Sequence, residues 1–221
     1  MSDVTVTVRG ESEARVAPER ATIRATVRAE GPERAAVVDM AMRLAEPLRT
    51  SITDRKDAGT VVEWSSKRLS VRAERPWNNE GKRLAPVYYA SIDVTATFTE
   101  ASELSIWVSD ISAWDGVEVG WVDWHLTPAT RARVEREVAA AAVGVAVTRA
   151  ETYAEALGRS SVTPVEIADV GLISSHDSAG AAPMLKARGA AFASADSSPG
   201  MEYEPEEIVV SATVEGRFIA R

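Results

Sequence analysis

Apolar and polar residues alternate from the start of the chain. Val4, Val6 and Val8 alternate with Thr5, Thr7 and Arg9. Beyond Pro18, Ala21, Ile23, Ala25 and Val27 share one face, while Thr22, Arg24, Thr26 and Arg28 share the other. A period of two predicts strands with one buried and one wet face. Gly10 and Pro18 punctuate these runs and are expected to bracket a crossing between two strands of one sheet. After Gly31 and Pro32 the spacing changes to three and four. Val37, Met40, Ala41, Leu44 and Leu48 then predict an amphipathic helix of about five turns. Pro47 removes a backbone donor and should kink or end that helix near Leu44 to Glu46.

Strand patterning returns at Val61 to Trp64 and at Leu69, Val71 and Ala73. The stretch from Glu74 to Leu84 contains Pro76, Asn78, Asn79 and Gly81 and reads as a hairpin loop leading to a partner strand, Val87 to Phe98. A short helix over Ala101 to Ala113 turns Leu104, Val108 and Ile111 inward, and Gly116 to Leu126 alternates as a further strand. Thr127 and Pro128 supply the start of the longest helix, which Gly158 closes. Val134, Val138, Ala141 and Val145 form one stripe on it, and Ala146, Ala150, Tyr153 and Leu157 a second. Strands are predicted at Val162 to Ile173 and at Glu207 to Phe218. Between these, Ser174 to Glu204 is rich in Ala, Gly, Ser and Pro and predicts a long mobile loop.

Composition narrows the classes of function. The 221 residues are 45% hydrophobic and 26% charged, enough for a packed core in a single domain spanning 1–221. The formal charge of −8 disfavours nucleic acid and anionic membrane as partners, since both need a basic surface. Cysteine is absent, which removes disulfides, thiolate nucleophiles and cysteine metal sites. Met1, Ser2 and Asp3 lead straight into the first strand with no apolar leader, so a cytoplasmic location is expected.

Several short motifs, taken in order, resemble the SIMPL domain family, a domain of unknown function that includes bacterial periplasmic immunogenic proteins. The first is Val6-Thr7-Val8-Arg9-Gly10-Glu11-Ser12 followed by Val16-Ala17-Pro18-Glu19-Arg20-Ala21, with Glu11-Ser12 in place of the second glycine of the family's entrance and Glu19 in place of its usual Asp. Tyr89-Ala90-Ser91 with Val94-Thr95-Ala96-Thr97-Phe98 is similar to the family's central strand. Ala139 to Gly158 is similar to its alanine-repeat helix. The resemblance implies an α+β fold in which β-α-β units share one antiparallel or mixed sheet, with one long Ala-rich helix and shorter ones packed on it. It implies no reaction, because the family brings no agreed catalytic residues.

Candidate chemistry is confined to Gly116 to His125. In a regular strand Trp121, Asp123 and His125 share one side, with Glu118, Val122 and Trp124 on the other. Residues two apart lie about 6–7 Å apart, so Asp123 could orient His125 as a carboxylate orients a general base. No G-x-S-x-G elbow or phosphate-cradling glycine spacing occurs, and with two histidines no metal ligand set or cofactor site is expected. The six tryptophans (Trp64, Trp77, Trp107, Trp114, Trp121 and Trp124) either fill gaps in the core or form an interface. The leading expectation is a non-enzymatic binding or self-assembly module, a homo-oligomer with room for a protein partner. Trp121, Asp123, Trp124 and His125 are its candidate binding residues. The alternative is a small-ligand-binding protein or enzyme using Asp123 and His125 in a tryptophan-lined pocket.

Overall fold

The computed structural model describes residues 3–173 and 203–221. All but Tyr203 and Glu204 of the stretch from Ser174 to Glu204, for which a loop is expected, lies outside them. The elements follow in the order β1 (Val4–Val16), β2 (Arg20–Gly31), α1 (Arg34–Asp57), β3 (Val61–Ser66), β4 (Ser70–Glu74), β5 (Val87–Phe98), α2 (Ala101–Ser112), β6 (Val117–His125), α3 (Pro128–Ala156), β7 (Val162–Asp169) and β8 (Ile208–Ala220). This is an α+β fold with antiparallel pairing throughout. The strands divide between two sheets instead of sharing one, in the orders β1-β8-β7 and β3-β5-β2-β6, with β4 also pairing with β5. The chain forms two compact units accordingly.

The first unit joins residues 3–17, 127–173 and 207–221. Its sheet is built around β8, which pairs residue for residue with β1 from Val4↔Ala220 to Val16↔Ile208. Gly10 does not end a strand. It lies mid-strand opposite Val214, and its glycine identity has a different cause. A Cβ there would collide with the carbonyl of Ala142 and lie 2.6 Å from the backbone nitrogen of Ala146, both in α3. The helix therefore touches the strand backbone, an approach only glycine permits.

Helix α3 buries one residue in four: Val134, Val138, Ala142, Ala146, Ala150 and Ala154. All six are spaced four apart, and residues four apart stack on one face. Val145, Tyr153 and Leu157, expected in the apolar stripes, are exposed instead. Thr127 caps the helix as predicted, its hydroxyl accepting from the Thr130 N–H at 3.3 Å. On the edge opposite β1, strand β7 stops at Asp169 rather than Ile173, carries Pro164, and slips register between Pro164 and Glu166.

The second unit comprises residues 18–126 with 203–206. Alternation sets its core. Ala21, Ile23, Ala25, Val27 and Ala29 of β2 are buried beside Ala90, Ile92, Val94, Ala96 and Phe98 of β5, against α1 and α2. Trp107 of α2 is buried, with its ring 5.3 Å from Phe98 and its indole N–H donating to the Ser51 hydroxyl at 2.9 Å. Helix α1 runs straight through Pro47 to Asp57. Pro47 is exposed, so the hydrogen bond it removes lies on the solvent side of the helix. Met40 is exposed, and Ala45 and Ile52 are buried on the inner face.

Candidate functional site

Strand β6 holds all four residues singled out from the sequence. Trp121 is 63% exposed. Asp123 is exposed, while Trp124 is half-buried against the core with its ring 6.0 Å from Tyr203, edge-on. His125 Nδ1 lies 3.8 Å from the Asp123 carboxylate but 3.2 Å from the Asp123 backbone carbonyl. The fold thus brings the pair together, but the imidazole's hydrogen bond goes to the main chain. No third group joins the pair among the described contacts.

The expected division of β6 into faces breaks at a bulge. Thr26 stands opposite Glu118 and Thr22 opposite Asp123, but the register slips between Ile23 and Ala25. Residues directly opposite in an antiparallel pair share a face, so Glu118 and Asp123 lie on the same side despite their odd spacing. Trp121 falls within the extra stretch. The other tryptophans divide similarly. Trp64 and Trp114 pack partly buried on the core, while Trp77 is 61% exposed beneath the Arg83 guanidinium, 4.9 Å from the ring centroid.

A concavity of the second unit lies on the polar face of its sheet. It is a cleft of about 670 Å³, within the range of small-ligand sites. Pairing assembles it in rows. Thr26 stands between Glu118 and Asp93, Arg28 is opposite Ser91, and Arg72 is opposite Tyr89. Thr26 donates to Asp93 at 2.9 Å, Arg28 pairs with Glu118 at 2.9 Å, and the Arg72 guanidinium lies 5.2 Å from the Tyr89 ring centroid. Ser70 and Ser91 add hydroxyls between these walls, and Met40 and Leu44 of α1 form an apolar end. Arg24 lines the same cleft, is exposed, and has no ion pair among the described residues. Among the described residues the cleft therefore offers Arg24 beside hydroxyls, an aromatic ring and an apolar wall, with the carboxylates of Glu30 and Asp115 also on its lining.

None of Trp121, Asp123, Trp124 and His125 lines this cleft. Each contributing strand was visible as alternation in the sequence, with Arg24, Thr26 and Arg28 on the wet side. What alternation does not specify is the pairing that sets β4 against β5 and β5 against β2. Among the described residues, no group of three or more His, Asp or Glu side chains is placed to hold a metal ion.

A family model described as SIMPL, a protein of unknown function (DUF541), matches residues 6–218. The chain belongs to the SIMPL family. The SIMPL match runs through the residues of both units, from β1 to β8. No curated protein matches the chain. Among the described residues no helix is long and apolar enough to cross a membrane.

Proposed function

We propose that this SIMPL chain is a non-enzymatic binding module and that the polar cleft of the five-stranded sheet is where it takes its ligand. The observation that carries this reading is Arg24, an exposed guanidinium with no ion pair among the described residues, in a cleft where Arg28, Arg72, Asp93 and Glu118 have partners. Two of the four acids that line it serve structure, Asp93 accepting from Thr26 and Glu118 holding Arg28, while Glu30 and Asp115 stand on the same lining. The matching ligand has an anionic group for Arg24, polar atoms for Ser70 and Ser91, and an apolar portion for Met40 and Leu44. A short acidic peptide or a small amphipathic carboxylate has that chemistry. An antiparallel sheet suits such a task, because its backbone is already ordered before a ligand arrives.

Titration of isotope-labelled chain with N-acetylated acidic dipeptides, followed by amide chemical shifts, tests the reading. Shifts at Thr26, Tyr89 and Ser91 that disappear in Arg24→Ala support it. Saturating shifts at Asp123 and His125 alone, or none at the cleft with any acidic probe, overturn it.

A further inference from the structure

We infer that the free edge of β1 is a homodimer interface, at which a second copy of the chain pairs its own β1 antiparallel about a twofold axis through Gly10. Three independent observations converge on this edge.

The first is the edge itself. Among the described residues β1 pairs only with β8, leaving thirteen residues of regular, bulge-free strand unpaired on the other side. The backbone groups along such an edge seek partners. Beside the strand, Arg149 of α3 donates to the carbonyl of Arg9 at 2.7 Å.

The second is that β1 is complementary to itself in the one register that pairs its whole length. A twofold axis perpendicular to the sheet must pass through a residue, so that facing residues share a face. Centred on Arg9 or Glu11, the pairing sets like charges against each other. Centred on Gly10, it sets Arg9, whose guanidinium also holds Glu215 of its own chain at 3.1 Å, against Glu11 of the other copy, twice, and leaves a residue without a side chain on the axis. The same register matches Val4 with Val16 and Val6 with Ala14 on the helix side. It matches Thr7 with Glu13 on the wet side, and Gly10 is the midpoint of Val4–Val16. Opposite charges directly across a strand pair are stabilising, like charges the reverse.

The third is the flank of α3 beside that edge. Ala141, Gly144, Val145, Thr148 and Tyr153 line a shallow depression of about 630 Å³. A second groove of about 410 Å³ separates Tyr153 and Leu157 from Val4 to Thr7 of β1. Val145, Tyr153 and Leu157 are apolar side chains left in water on this flank. Extending the sheet through Gly10 brings two copies of α3 alongside each other over one face, where small residues permit close approach and these three are covered. The assembly is an isologous six-stranded sheet, β7-β8-β1 continued by its symmetry mate.

The chain has no cysteine, so introduced thiols report register directly. Sedimentation of the full chain at micromolar concentration should give twice 23.7 kDa. Under mild oxidation Thr7→Cys/Glu13→Cys should form a covalent dimer, because those positions face each other across the axis. Thr7→Cys/Glu11→Cys, out of register, should not. Glu11→Arg, exposed and harmless to the monomer's circular dichroism, should weaken dimerisation at least tenfold. A monomer across that range, equal cross-linking in both registers, or a Glu11→Arg variant that dimerises like the parent overturns the inference. So does a monomer that instead captures an unrelated extended peptide along β1.

Discussion

Single backbone contacts carry much of the first unit. Gly10 lies against α3 with no room for a methyl group, and Ala146 beside it is fully buried. Ala146→Leu should cost about 1–3 kcal/mol through overpacking. Gly10→Ala should cost at least as much, since the obstructing atoms are backbone and cannot rotate away. Thermal melts check both; a variant as stable as the parent would contradict the contact. In the second unit Tyr203 offers a pH signature. Burial raises its phenol above the ordinary value of 10.0. The folded state therefore prefers the protonated form. The stabilisation is complete below pH 10 and is lost as pH rises past 10 through the higher folded value. Tyr203→Phe should abolish that part of the alkaline decline, as chemical denaturation at pH 9 and pH 11 would reveal.

The elements were largely legible in the sequence, because each expresses one local period. The helix over Ala101–Ser112, the Thr127 cap and the strand Val87–Phe98 all follow from spacing and capping chemistry. Interruptions were less legible. Pro47 looks like a terminator from spacing alone, yet it faces water, so α1 continues at the cost of one hydrogen bond. Pro47→Ala restores that bond and should stabilise the second unit, by up to about 3 kcal/mol. A fall in melting temperature would mean that the proline has a packing role. The bulge in β6 was hidden for a related reason. Alternation assumes an unbroken ladder, and the slip beside Arg24 depends on a partner strand almost a hundred residues away. The candidate cleft shares this origin, so its residues could be named by face but not gathered into a site.

At the scale of the whole chain, the two units are built differently. Residues 18–126 supply nearly all of the second unit as one continuous stretch, whereas the first needs β1 and β8, separated by some two hundred residues. Closing so long a loop is entropically costly and slow. The second unit should therefore tolerate loss of the first unit's last strand. Deleting residues 208–221 removes the central strand of the three-stranded sheet and should unfold that unit. The near-ultraviolet circular dichroism of Trp107 packed on Phe98 should survive. Loss of both signals together would show that the second unit depends on the first. Alternation at both ends of the sequence marked two strands. Only the register from Val4↔Ala220 to Val16↔Ile208 shows that they complete the same sheet.

The unlike borders of the three-stranded sheet also bear on how far association can proceed. β7 carries a proline and a register slip, both of which spoil a template for further pairing. β1 has neither. A sheet with one blunted border accepts one addition and then presents only blunted borders, like a polymer chain terminated at both ends. Growth stops at two copies, so raising the concentration fills the dimer and leaves filaments without a propagating end.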